Sequence, residues 1–256
     1  MEENSKPIGI FDSGLGGLSV LKEAIKLLPY EDFIYYGDTK NAPYGTKSVN
    51  EIRKLTNSVV DFLLDKEVKA IVIACNTATS ASVDELRKRY SLPIIGIEPA
   101  LKPAVELNRK GKIIIMATTV TLSEKKFKNL MEKYKKDCNI VPLPCPGLME
   151  FIESGNIDSL ELEEYLKGKL NKFTDEQISS IVLGCTHYPF IKNKLSQIVG
   201  EHVPIIDGSM GTSMQLKRQL EKASLLNNRT VPGKLTIYNS LDTQEIIELS
   251  YKLISI

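Results

Sequence analysis

The chain has 256 residues, 42% of them hydrophobic and 25% charged, with a formal net charge of +1. That length suffices for one large core or for two domains of about 100–150 residues each. A balanced charge with no long basic run speaks against nucleic acid or an acidic membrane as main partner, and no apolar stretch reaches the roughly 18 residues of a membrane-spanning helix.

Met1 to Lys6 are few and polar, unlike a signal peptide, so a cytoplasmic protein with no N-terminal regulatory extension is expected. Short apolar runs then alternate with helical periodicity. The first strand is expected at 8–11 and ends in the turn Asp12-Ser13-Gly14-Leu15-Gly16-Gly17. As a dinucleotide fingerprint that turn fails, because Ser19 stands where a third glycine or alanine belongs and no ribose-binding acid closes a second strand. It fits better as a cradle of backbone N–H groups for a carboxylate. Asp12 beside it has three readings: a helix N-cap, a partner for an ammonium, or a proton relay.

Leu18, Leu21, Ile25 and Leu28 share one helix face, and Pro29 stops that helix. A strand at 33–36 leads into a loop of turn formers, Gly37 to Gly45, whose Tyr44-Gly45 end is a candidate cover for a small ligand. Ser48 and Glu51 form a capping box, opening a helix with Ile52, Leu55, Val59 and Phe62 on one face. Further strands are expected at 69–74, 93–97, 112–117, 139–142, 180–184, 203–206 and 234–238. The alternation predicts an α/β fold of parallel sheets with helices on both faces.

Two stretches repeat one pattern. Ile71 to Thr77 and Ile181 to His187 are each an apolar run, a small residue, a cysteine and then hydrogen-bonding residues. Upstream, Asp12 and Thr118 each end an apolar run of their own. A duplicated α/β unit produces this pattern, with one thiol at the same topological point of each copy. The expected domains are 1–98 with 208–256, and 99–207, pseudo-symmetric, with the site in the cleft between them. Two thiols across a pseudo-twofold suit a reaction that takes a proton from one face of a carbon and returns one to the other.

Asp12, Cys75, Thr118 and Cys185 all fall at expected strand carboxyl ends, where open α/β sheets hold their sites. A helix N-terminus after each cysteine would lower its pKa from about 8.5 toward roughly 3.5–7.5. A single such cysteine more often packs as inert core; the mirrored pair favours chemistry. Cys138 and Cys145 lack the setting and are assigned structural roles. No Cys-x-x-Cys pair is present, so metal ligation is not expected and all four cysteines read as free thiols. His187, two residues after Cys185, is placed to exchange protons with that thiol. Glu153 closes an apolar helical patch and by itself reads as a surface carboxylate.

Taken in order, Asp12-Ser13-Gly14 with Gly16-Gly17, Pro43-Tyr44-Gly45, Cys75-Asn76-Thr77-Ala78 and Gly184-Cys185-Thr186-His187-Tyr188-Pro189 resemble the glutamate racemase family, from residue 8 to about 215. The Cys-Thr-His form is similar to glutamate racemases rather than aspartate racemases, which usually carry Cys-Thr-Glu there. The resemblance implies a cofactor-independent two-base enzyme that makes D-glutamate for peptidoglycan, with glutamate as its small-molecule partner. Cys75 would act on the D-enantiomer and Cys185 on the L-enantiomer. Asp12 and His187 would assist the respective thiols, with Glu153 as a supporting carboxylate. Asp12, Ser13, Tyr44, Gly45, Asn76, Thr77, Thr186 and His187 fall at substrate-binding positions. Thr118 and Thr121 fit the family's Gly-Thr-x-x-Thr, with Ala117 in place of the glycine, and Pro146-Gly147-Leu148 also departs modestly. Other readings stay open at this point: a racemase of another acidic amino acid, a cysteine hydrolase, and a binding protein without turnover. So do a homodimer and allosteric control.

Overall fold

In the computed structural model, residues 2–123, 125–134, 138–173 and 177–255 are described. The chain divides into two compact units, Met1–Glu98 with Ser209–Ile256, and Pro99–Gly208.

In the first unit, β1 (Ile8–Asp12) is buried at every residue. A parallel strand covered on both faces needs such a continuous apolar run rather than alternation. After the glycine-rich turn, α1 (Leu18–Leu27) buries Leu18, Val20, Leu21 and Ala24. Ala24, rather than Ile25, completes the buried face, and the Leu28 N–H closes the last turn on the Ala24 carbonyl before Pro29. β2 (Phe33–Gly37) follows, and then α2 (Val49–Asp65), where both halves of the Ser48–Glu51 capping box are formed. Next come β3 (Ala70–Ile73), α3 (Asn76–Arg89) and β4 (Ile94–Gly96).

The second unit runs α4 (Leu101–Glu106), β5 (Lys112–Ala117), α5 (Thr119–Ser123), α6 (Lys125–Tyr134) and β6 (Asn139–Pro144). It continues through α7 (Leu148–Glu153), α8 (Leu160–Leu170), β7 (Ile178–Leu183), α9 (Lys192–Val199) and β8 (Ile205–Asp207). The chain then returns to the first unit as α10 (Ser209–Lys222), β9 (Leu235–Asn239) and α11 (Gln244–Ser255).

All strand pairs are parallel, in the orders β4-β3-β1-β2-β9 and β6-β5-β7-β8. Read from its other edge, the second sheet is β8-β7-β5-β6. Each unit therefore arranges its own four repeat strands as fourth, third, first, second, and β9 is an addition at the first sheet's edge. In both, the order reverses between the first strand and the third, the switch point outside which such sheets place ligands.

Strand periodicity sorts the core. Ile114 and Met116 of β5 face a cluster with Leu148, Leu162 and Leu195, while Ile113, Ile115 and Ala117 face one with Leu101 and Ala104. Each fully buried Ile, Leu or Met among them contributes about 1.5–3 kcal/mol relative to exposure. Gly17 marks where α1 presses on the strand ends: a Cβ there would lie 2.6 Å from Asp12 Cβ and 2.9 Å from Ala74 Cβ. At the opposite end of the first sheet Lys69 and Glu31 form a buried ion pair, and Glu31 also accepts the Asn227 N–H of the return segment at 2.8 Å.

Candidate active site

Asp12 ends β1, and Cys75 lies two residues beyond the neighbouring β3. Cys75 is the N-cap of α3, where its Sγ accepts the Ala78 N–H at 3.5 Å and donates to Ser13 Oγ at 3.5 Å. The expected helix-terminus setting is therefore present, yet the expected low pKa is not. Burial first, and then the Asp12 carboxylate, push the Cys75 thiol up to about 12, against lowering by Ser13 and the Ala78 and Thr77 N–H groups. With Cys75 only 6% exposed, lost hydration of the thiolate outweighs the dipole.

Asp12 does not cap α1, whose N-cap is Gly17. The turn delays the helix to Leu18, so the carboxylate instead accepts the Gly14 N–H at 3.2 Å. Asn76 and Thr77 open α3 and are half-buried. Asn76 Oδ1 is buried without a hydrogen-bond partner among the described residues. Tyr44 and Gly45 lie in a short 3-10 turn, Tyr44–Thr46. Tyr44 is buried and shares an apolar cluster with Phe11, Ile73, Cys75 and Ala78. Its phenol is held above its ordinary pKa by burial first and then by Asp38, which accepts the hydroxyl at 2.6 Å.

In the second unit Thr118 follows β5, and Cys185 lies two residues beyond the neighbouring β7. Thr118 Oγ1 accepts the Thr121 N–H at 3.1 Å and donates to Thr121 Oγ1 at 3.0 Å, so it starts α5 as a cap does. No helix begins directly at Cys185: a 3-10 turn, Tyr188–Ile191, comes before α9, so the expected dipole is missing there. An imidazole stands in its place. His187 Nδ1 is 3.7 Å from Cys185 Sγ, and its Nε2 is 3.0 Å from Glu153 Oε1. Glu153 is the last residue of α7, which opens at Gly147 in the left-handed region at φ +84°. A glycine there lets the chain leave β6 at the angle that aims α7 at His187. Thr186 is buried beside this group.

The first unit thus gathers Asp12, Ser13 and Cys75, and the second gathers Glu153, Cys185 and His187. The other two cysteines have structural surroundings. Cys145 is buried with its thiol on the Leu143 carbonyl at 3.3 Å, and burial pushes it up to about 11. Cys138 packs at the edge of an apolar cluster. Two residues have no role in the sequence reading. Asp38 looked like one more turn former. Tyr188 is fully buried and ties the Cys185 turn to the end of β6 through a 3.1 Å bond to the Cys145 carbonyl.

Each parallel α/β unit sets a thiol beyond a central strand, one beside Asp12 and Ser13 and one beside His187 and Glu153, an arrangement suited to proton transfer. Residues 16–210 match the Asp/Glu/Hydantoin racemase family, and the chain belongs to it. A glutamate racemase of Clostridium novyi (strain NT) is 62% identical over the full length of both chains. Among solved structures, glutamate racemase from Francisella tularensis subsp. tularensis SCHU S4 in complex with D-glutamate is 32% identical. It has a TM-score of 0.82 over 99% of this chain and 95% of that one. Escherichia coli glutamate racemase, in complex with L-glutamate and the activator UDP-MurNAc-ala, is 27% identical. Its TM-score is 0.85 over 98% of this chain and 94% of that one.

Proposed function

We infer that this protein interconverts L- and D-glutamate by proton transfer between its own thiols, without a cofactor, and so supplies D-glutamate for peptidoglycan. The observation that carries this reading is the equivalent placement of Cys75 and Cys185. Each lies two residues past the third strand of its unit, beside the first strand, with a titratable neighbour of its own, Asp12 for Cys75 and His187 for Cys185.

The α-proton of an amino acid is very weakly acidic, so the carbanion needs donors already aimed at the carboxylate and exclusion of water. The N-terminus of α3, with Asn76 and Thr77, supplies such donors, and Ser13, Tyr44, Gly45, Thr118, Thr121 and Thr186 complete the binding set. For L-glutamate, Cys185 gives its proton to His187, whose charge Glu153 stabilises, and the thiolate takes the α-proton. Cys75, held protonated by its burial, delivers a proton to the other face. For D-glutamate the roles reverse, and Asp12 assists Cys75 in losing its proton. Among the described residues no helix is long and apolar enough to cross a membrane. We place the enzyme in the cytoplasm, where its four cysteines stay reduced.

The test is incubation of either enantiomer in deuterated water. A racemase incorporates deuterium at the α-carbon and loses optical rotation. A cysteine hydrolase or a binding protein leaves both unchanged, and that result would refute the reading.

A further inference from the structure

Asp38 is a carboxylate only 2% exposed, at the carboxyl end of β2. Its backbone N–H donates to the Asp12 carbonyl at 3.0 Å. Its side chain is fully engaged: Oδ2 accepts from the Tyr44 hydroxyl at 2.6 Å, and Asn41 Nδ2 reaches Oδ1 at 2.9 Å and Oδ2 at 3.2 Å. The start of this loop is already pinned. Asn239 donates to Thr39 Oγ1 at 2.7 Å, and the Lys40 N–H donates to Ser240 Oγ at 2.9 Å. Among the described residues the far end, Tyr44–Thr46, makes no such bond to β9; the Tyr44 ring packs in the Cys75 cluster and the Asp38–Tyr44 bond closes the loop on itself. Among the described residues no cation pairs with Asp38, and burying a carboxylate is costly, so its place here points to the bonds it makes.

We propose that Asp38 is a positioning residue for the reaction: its carboxylate fixes the Tyr44 hydroxyl and so sets the Tyr44-Gly45 turn beside Cys75. Tyr44 shares the Cys75 cluster, so a shift of its ring displaces both the Gly45 backbone and a wall of the thiol's surroundings. Asparagine replaces Asp38 only in part, because it loses the charge that strengthens these bonds and needs Asn41 to turn its amide over. If its oxygen accepts Tyr44, its NH2 faces the NH2 of Asn41, donor against donor. This inference rests on the glutamate racemase reading, in which Tyr44 and Gly45 contact substrate.

The test compares the wild type with Asp38→Ala, Asp38→Asn, Tyr44→Phe and the Asp38→Ala/Tyr44→Phe double variant. Thermal unfolding is recorded alongside kcat and KM for glutamate in both directions. Each single variant is expected to lose about tenfold in kcat/KM, mainly through KM, equivalent to ~1.4 kcal/mol. The double variant is expected to lose no more than the worse of Asp38→Ala and Tyr44→Phe, because the same bond is removed in each. Asp38→Ala with a lowered melting temperature and an unchanged KM would overturn the proposal, as would losses that multiply in the double variant. If Asp38→Ala fails to fold, Tyr44→Phe decides alone, since it removes only an oxygen: an unchanged KM there overturns the proposal. Absence of turnover in the wild type would instead sink the racemase reading, so the two failures are separable.

Discussion

Glu153→Gln tests the Cys185 relay with little change of shape. Glu153 Oε1 lies 3.0 Å from His187 Nε2, and the two side chains are 25% and 4% exposed. A unit pair at that distance interacts by about 5.5 kcal/mol at an effective dielectric of 20. Glutamine still accepts the Nε2–H, so the tautomer that faces Cys185 is kept, and what is lost is stabilisation of the charged imidazolium. Solvent at Glu153 and the retained bond reduce the expected loss to about 1.5–3 kcal/mol, the worth of a charge-assisted hydrogen bond. That is about 10- to 150-fold in kcat/KM. Enantiomers have equal free energy in water, so the equilibrium constant of racemisation is one. The fall in kcat/KM must then be the same from L- as from D-glutamate. Direction appears in the isotope effect instead. With proton removal by Cys185 slowed, the primary effect from L-[2-2H]glutamate rises and that from D-[2-2H]glutamate falls. The assay is circular dichroism of glutamate with both labelled enantiomers, with the melting temperature checked. A Glu153→Gln enzyme within twofold of wild type, or an isotope effect that rises from the D side, would refute the reasoning.

Three further outcomes are expected. Aspartate is one methylene shorter than glutamate, which alone is worth ~1–3 kcal/mol, and its short side chain leaves distal donors unpaired, a costlier event. At least ~100-fold preference for glutamate in kcat/KM is expected, about 2.7 kcal/mol, and comparable rates on both would contradict it. Lys69→Met removes the cation that pairs with the buried Glu31 side chain, so unfolding should become easier by about 3–5 kcal/mol. The calorimetric midpoint should then fall by roughly 10 °C, while turnover of the folded enzyme at 25 °C is retained; an unchanged midpoint would show that the pair is not needed. Because burial first and then Asp12 push the Cys75 thiol up to about 12, it is protonated at neutral pH. Alkylation of Cys75 by iodoacetamide, followed by peptide mass spectrometry, should speed up about tenfold per pH unit from pH 7 to 10. Asp12→Asn should raise the rate at each pH, and a plateau near pH 7 would disprove the assignment.

The strands were legible because buried parallel strands are continuous apolar runs, as at Ile71–Ala74 and Ile113–Ala117. The matching strand order of the two units agrees with the repeated residues that end those runs. The helix boundaries given by Ser48–Glu51 and Pro29 are local chemistry, so they too could be read directly. The parts that were hidden depend on distance in space. Glu153 is 34 residues from His187 in sequence, and nothing in Phe151-Ile152-Glu153 shows which way α7 points. Asp38 resembles any turn residue until its burial and its bond to Tyr44 are seen. The Cys75 pKa was misjudged because the helix terminus is visible in the sequence, while the burial that opposes it is not. The same holds for Asp12, whose role as a cap was excluded by the extra turn before Leu18.

The central claim is that two thiols, Cys75 and Cys185, share the proton transfer. The most direct measurement is racemisation by single Cys75→Ala and Cys185→Ala variants, followed by circular dichroism from each enantiomer, with Cys138→Ala as a control outside the site. Both single variants should fold, bind glutamate and show no racemisation, while Cys138→Ala racemises like the wild type. Wild-type racemisation by either Cys75→Ala or Cys185→Ala would contradict the two-thiol assignment.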